Sequence, residues 1–229
     1  MSNGLYLSKE GRMAANTGKP QYLVNNFSET NTMTGWSFGG SSTISDGIVT
    51  LTGVNPYITS TTFTVNPNDI ICFEMTIALP TPSTTTGGPG LYIGTKYGQS
   101  VYVHSFSASS NKWVASSAAT TNPYFTYAYN LTTPIVQKHF ILGSSVDLST
   151  VPFGTSTNAT SYPSRAIQMT SGETTTFIRS GYNNNTEMVI SLANFRLYNI
   201  NQCGFVEPDE QATGKIGRNW ANATHFYEI

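Results

Sequence analysis

At 229 residues and a formal net charge of -1, the chain suits one large domain or two small ones and lacks the basic field of a nucleic-acid binder. Charged residues make up 10% of it, against roughly 25% in an ordinary globular domain, so hydroxyls, amides and tyrosines must keep its surface wet. MSNGLYLSKEG has no apolar core of a signal peptide, and no apolar run approaches the ~18 residues of a membrane span. The expectation is a protein assembled inside a cell without a signal peptide and released by lysis, with no membrane and no nucleic acid among its partners.

The chain opens with a basic flank over 1–20, containing Lys9, Arg12 and Lys19, that shows no strand alternation. From residue 21 the pattern changes to strands joined by Ser, Thr, Asn, Gly and Pro. ISDGIVTLTG reads as a turn at Asp46-Gly47 followed by a strand. DIICFEMTIAL alternates cleanly, with Ile71, Phe73, Met75, Ile77 and Leu79 on one face and Cys72, Glu74 and Thr76 on the other. PTPSTTTGGPG (80–90) is a connection. SVYVHSF, PYFTYAYN and IVQKHFILGSS are further strands, followed by a second long connection over 146–164. TTTFIRSG, a turn over 180–187 and MVISLANFRLYNI complete the pattern. In that last strand Val189, Ala193, Phe195 and Leu197 are expected on one face, with Asn194 and Arg196 on the other. The tail over 203–229 is basic again, with Lys215 and Arg218. About nine to eleven strands and no sustained helical period predict an all-β fold, a two-sheet antiparallel β-sandwich (jelly roll) with extended N- and C-terminal arms. The division is an arm over 1–20, the sandwich over 21–202 and a docking tail over 203–229.

Catalytic chemistry needs clustered, tunable groups, and here they are scattered. There are 12 acids, none in the alternating carboxylate pattern of jelly-roll glycosidases, and Asp69 and Glu74 fall on opposite faces of their strand. His104, His139 and His225 stand on separate segments, without a zinc-ligand spacing or a nucleophile elbow. The chain therefore reads as non-enzymatic, with no catalytic residues and no cofactor. Structural calcium is a weak option, with Asp46 and Asp69 as candidate ligands. Cys72 and Cys203 allow at most one bridge, and two free thiols is the simpler reading. Sequons at Asn26, Asn130, Asn158, Asn184 and Asn222 are expected by composition and are assigned no glycans.

Aromatics are the richer signal. Between residues 90 and 130 lie Tyr92, Tyr97, Tyr102, Trp113, Tyr124, Tyr127 and Tyr129. Sugar rings stack their C–H faces on aromatic faces, so Tyr92, Tyr97, Tyr102, Trp113 and Tyr127 are candidate glycan contacts. The alternative is packing within the sheets. Trp113, flanked by polar residues in SSNKWVASS, is expected to be the most exposed of them, where it would serve a glycan or a protein partner.

The segment 23–53 resembles the opening of a carbohydrate-binding-module jelly roll. The match is Asn25, Asn26 and Phe27, then Gly35-Trp36, then the strand pair closing at Gly53. MVISLANFRLYNI resembles the closing strand of such modules. The resemblance implies a glycan-module-like domain in which Trp36 packs at the sandwich edge. The flanks resemble terminal segments of tailed-phage virion proteins, of the head-fibre, capsid-decoration and tail-fibre kinds. The tail match is Ile216-Gly217, Ala221-Asn222 and Phe226 to Ile229, with His225 and Tyr227 departing from the pattern. That resemblance implies a structural protein displayed on a phage capsid or tail as a homo-oligomer or high-copy assembly. Lys9, Arg12, Lys215, Arg218, Trp220, Phe226, Tyr227 and Ile229 would dock it to other virion proteins. Host or mucus glycans are further partners. The alternatives are a free carbohydrate-binding module for cell-surface polysaccharide and a polysaccharide depolymerase.

Overall fold

The computed structural model describes residues 22–80, 90–95, 98–107, 109–121, 123–126, 133–152, 164–181 and 187–202. Thirteen strands run in chain order as β1 (Trp36–Ser45), β2 (Ile48–Ser60), β3 (Phe63–Val65), β4 (Ile70–Ala78), β5 (Gly90–Thr95), β6 (Val101–Ser107), β7 (Lys112–Val114), β8 (Ala119–Thr120), β9 (Tyr124–Thr126), β10 (Ile135–Leu142), β11 (Arg165–Met169), β12 (Thr174–Gly181) and β13 (Glu187–Asn199). A single helical turn, α1 (Phe27–Thr30), precedes them. The expected two-sheet β-sandwich is the architecture observed. It differs in one pairing, since β10 and β11 run parallel. It also has more strands than expected, among them β3, β7 and β8, which are too short to show alternation.

Hydrogen bonding links the strands in the path β7-β6-β11-β10-β4-β13-β2-β12-β5-β9, with β1 on β2, β3 on β12 and β8 on β6. The path is folded at β2. The first half of β2 pairs with β13, from Val49↔Leu192 to Val54↔Glu187. Its second half pairs with β12, from Tyr57↔Gly181 to Thr59↔Arg179. β2 therefore belongs to both layers, and β1 accompanies it along most of its length. Sheet I is β7-β6-β11-β10-β4-β13 with the first half of β2. Sheet II is the second half of β2 with β12, β5, β9 and β3.

The corner is written in the backbone. Gly53 and Asn55 have positive φ in β2, and Gly40 has positive φ opposite them, where β1 slips register between Gly39 and Ser41. A Cβ on Gly40 would meet the Thr52 carbonyl oxygen at 2.5 Å, so the two strands cross closer than a side chain allows. The kink also reverses the inward set of β2. Val49 and Leu51 are buried before it, and Ile58 and Ser60 after it.

The core lies between the sheets. Val49, Leu51, Ile71, Phe73, Met75, Ile77, Ile141, Ile167, Ile190 and Leu192 of sheet I meet Ile58, Phe63, Val65 and Ile178 of sheet II. At its end stands an aromatic knot built from the N-terminal motif. Asn26 caps α1 by accepting from the Ser28 amide at 3.1 Å. Its burial leaves no room for a glycan. The Trp36 indole donates to the Asn25 carbonyl at 2.8 Å. Phe195 stacks on Phe27 at 5.0 Å and meets Trp36 edge-on at 5.0 Å.

Phe195 reaches the knot through a correction to the expected β13 pattern. Asn194 has φ +51, and the register with β4 shifts between Ala193 and Arg196. This bulge changes the inward set from Ile190 and Leu192 to Phe195 and Leu197. Val189 and Ala193 accordingly do not share the face of Phe195.

Sheet I is covered on its outer face as well. Cys72, Phe140, Leu142, Ala166, Tyr198 and Ile200 form a second, smaller core there. Tyr22, Trp113, Val146 and Leu148 pack over it, the last two in a segment that makes a 3-10 turn at Leu148–Thr150. Cys72 is buried, and Cys203 lies outside the described residues. Beside this core Lys138 pairs with Glu74 at 2.7 Å across the β10–β4 ladder. Tyr22 bridges Tyr198, so the sandwich is entered and left at neighbouring points.

Truncating Phe195 to Ala empties the centre of the knot. Chemical denaturation should show a loss of about 3–5 kcal/mol, with strand content retained in circular dichroism.

Candidate functional site

With both faces of sheet I packed in its middle, the outer face of sheet II presents half-buried aromatic and cationic groups among the described residues. The kink in β2 turns Tyr57 and Thr59 outward, opposite to buried Ile58. On β12, Phe177 and Arg179 alternate outward with buried Thr176, Ile178 and Ser180. The Arg179 guanidinium carbon sits 3.7 Å from the centroid of the Tyr57 ring. Such a cation–π contact contributes about 0.5–1 kcal/mol at an exposed site. It fixes both groups without using an N–H donor.

Glycines make room for this arrangement. A Cβ on Gly39 would lie 2.3 Å from the Tyr57 ring, so the ring rests on bare backbone of β1. Tyr57 stands in a cross-strand row with Gly39, Gly181, Gly90 and Thr126. The adjacent row is Ser37, Thr59, Arg179, Tyr92 and Tyr124. One row is thus mostly backbone. The next holds a cation, two hydroxyl residues and two tyrosines. A row with few side chains beside a braced cation and hydroxyl groups can seat a ring with a hydroxylated rim.

The residues expected from sequence are distributed unevenly about this face. Tyr92 stands in the Arg179 row. Tyr97 and Tyr127 lie outside the described residues. Tyr102 belongs to sheet I, on β6 opposite Gln168 and Ala119, with its ring 6.2 Å from that of His104. Trp113 differs most from expectation. It is half-buried over the second core, meets Phe140 edge-on at 5.7 Å and donates its indole N–H to the Pro152 carbonyl at 3.0 Å. Its polar neighbours in sequence alternate to solvent while the ring caps sheet I. The docking candidates Lys9, Arg12, Lys215, Arg218, Trp220, Phe226, Tyr227 and Ile229 lie outside the described residues. Sequence reading missed Tyr57, Gly39 and Arg179. The signal available for Arg179 was its isolation as a charge, since β1, β2, β3, β5, β9 and β12 contain no other charged residue.

Asp46 and Asp69 stand at two different turns. Asp46 and Gly47, both with positive φ, close the β1–β2 hairpin as expected. The Asp69 carboxylate accepts from the Asn66 amide at 2.8 Å and from its side chain at 2.9 Å. Among the described residues no group of three His, Cys, Asp or Glu side chains could hold a metal ion.

Of the two described histidines, His104 ties a loop to sheet I and His139 ties the start of β11 to β10. His104 Nδ1 accepts from the Ser116 amide at 2.9 Å, so Nε2 carries the proton and donates to Gln168 Oε1 at 3.0 Å. Gln168 passes the chain on by donating to the Val146 carbonyl at 2.7 Å. His139 Nδ1 accepts from the Arg165 amide at 3.0 Å. Burial, then the nearby Arg165 charge, pushes His139 down to about 3, and burial lowers His104 as well.

No protein-family model and no curated protein sequence matches the chain. Among solved structures, peanut lectin is similar over 80% of this chain and 99% of its own, at 12% identity and a TM-score of 0.41. The potassium-bound carbohydrate recognition domain of Emp46p is similar over 79% of this chain and 98% of its own, at 12% identity and 0.38. The arabinose-bound α-L-arabinofuranosidase MgGH51 is similar over 80% of this chain at 9% identity and 0.43, and the chain spans 28% of that enzyme.

A pH dependence follows from the histidines. His139 is neutral in the folded protein down to about pH 3, whereas in the unfolded chain it takes up a proton below about pH 6.5. The unfolded state binds the extra proton between those values, so stability falls as pH drops through that window. Urea unfolding at pH 7 and pH 4 should show this loss, and His139→Gln should flatten it.

Proposed function

We propose that the outer face of sheet II binds glycans and that the sandwich is a non-enzymatic display domain. One observation carries this reading: Tyr57, seated on the bare backbone of Gly39, is held under Arg179 beside a row of glycines. A cation held rigid by its aromatic support, beside a row without side chains, costs little entropy when a sugar ring settles against it. The hydroxyl-rich, weakly charged surface is also one that a hydrated polymer can approach without an electrostatic barrier. Against a depolymerase stands the absence of any Asp or Glu in the six strands of this face, since glycoside hydrolysis uses a carboxylate pair across the bond. Tyr57→Ala should weaken binding to the glycans found on an array by about tenfold, or 1.4 kcal/mol. Trp113→Ala should instead lower the unfolding midpoint and spare binding. Array binding that survives Tyr57→Ala would move the site elsewhere.

A second reading concerns where the domain is displayed. The flanks resemble terminal segments of tailed-phage virion proteins, and the bridge between Tyr22 and Tyr198 brings chain entry and exit together. Both support a mount built from the two ends on a capsid or tail. Deleting residues 214–229 should abolish incorporation into particles while the sandwich still folds. Undiminished incorporation would reject the mount.

A further inference from the structure

Arg179 is the single charged residue in the six strands β1, β2, β3, β5, β9 and β12. Sheet I, by contrast, carries Glu74, Lys112, Lys138, Arg165, Glu187 and Arg196 in its strands. A lone cation in a neutral sheet is not there to balance a neighbouring acid. Among the described residues the Arg179 guanidinium forms no ion pair, and its contact is the face of the Tyr57 ring. Its N–H donors stay available, because cation–π contact engages the charge and not the donors. Its nearest charged neighbour along the chain is Glu173, which is exposed and stands before the opposite end of β12.

The surroundings define what would complete this site. Tyr57 braces the guanidinium with its ring face, Thr59 and Tyr92 flank Arg179 in its row, and Gly181 and Gly90 contribute no side chain to the next. A ligand lying along the glycine row would place a substituent of one ring against Arg179. Guanidinium presents two parallel N–H groups that match a carboxylate, and such charge-assisted bonds are about twice as strong as neutral ones. We propose that this face selects acidic polysaccharide, with Arg179, braced by the Tyr57 ring, binding the carboxylate of a uronic or sialic acid residue that lies along the glycine row. The inference rests on the glycan-binding reading of sheet II and adds the substrate class. The positive charge is unopposed on its own sheet, so it would favour an anionic polymer at low ionic strength and lose range as salt shortens the screening length.

The test uses the full chain and matched ligands that differ in charge alone. Oligogalacturonate, alginate, hyaluronate and polysialate oligomers are each compared by calorimetry with their carboxyl methyl esters. A neutral glycan array is run alongside. The expected result is at least one acid bound about tenfold or more tightly than its ester, with a preference that shrinks as salt rises. Arg179→Gln should bring acid and ester to equal affinity, and Arg179→Lys should keep part of the preference. The salt series on the unaltered protein needs no variant and stands even where a substitution disturbs folding. Equal affinity for acid and ester, a preference that survives in folded Arg179→Gln, or binding confined to neutral glycans would overturn the acidic selection while leaving the glycan-binding face. Binding to no glycan of either kind would overturn the glycan-binding face and this inference with it.

Discussion

The bend in β2 is the constraint on which the rest of the molecule depends. One strand of 13 residues pairs first with β13 and then with β12, so the two layers are not independent sheets held by side chains alone. They are one hydrogen-bonded ribbon turned over on itself. Positive φ at Gly53 and Asn55, met by Gly40 on the partner strand, lets the ribbon turn, with pairing to β1 stopping at Thr52 and resuming at Tyr57. The turn puts Leu51 and Ile58 into the same core although their spacing assigns them to opposite faces. The same turn sends Tyr57 out to the surface. Architecture and candidate site thus share one physical origin.

The two layers carry different duties. Sheet I is packed on its inner side by the main core and on its outer side by the cluster around Phe140 and Tyr198. Its charges and histidines serve that packing. Lys138 is nearly fully buried and is matched by Glu74, while His104 holds a loop and His139 holds the start of β11. Sheet II has one buried face and one free face. The free face is furnished with aromatics, hydroxyls, glycines and a single cation. A protein with few charges can mark a surface with one arginine, because nothing nearby competes for it.

The fold class was legible because alternation over β4 and the Asp46-Gly47 turn are local signals that survive folding unchanged. The N-terminal motif was legible for the same reason. Asn25, Asn26, Phe27 and Trp36 lie close in sequence and close in space. What stayed hidden was non-local or depended on an irregularity. The Asn194 bulge and the β2 kink each invert alternation midway along a strand, and periodicity carried across them assigns Val189 and Tyr57 to the wrong side. Trp113 was misplaced by its neighbours, since SSNKWVASS says nothing about Phe140 and Pro152, which arrive from distant parts of the chain. Tyr92 was found among aromatics by number, but its partner Arg179 comes from another strand that only the register reveals.

The contact between Tyr22 and Tyr198 has a consequence for how such a domain travels. A unit whose entrance and exit adjoin can be cut out and spliced into a surface loop of another protein without prying that loop apart. The splice would fall at β13 of sheet I, leaving β12, β5 and β9 of the second sheet untouched. The sandwich is therefore built as a cassette, able to change carriers while keeping its outward face.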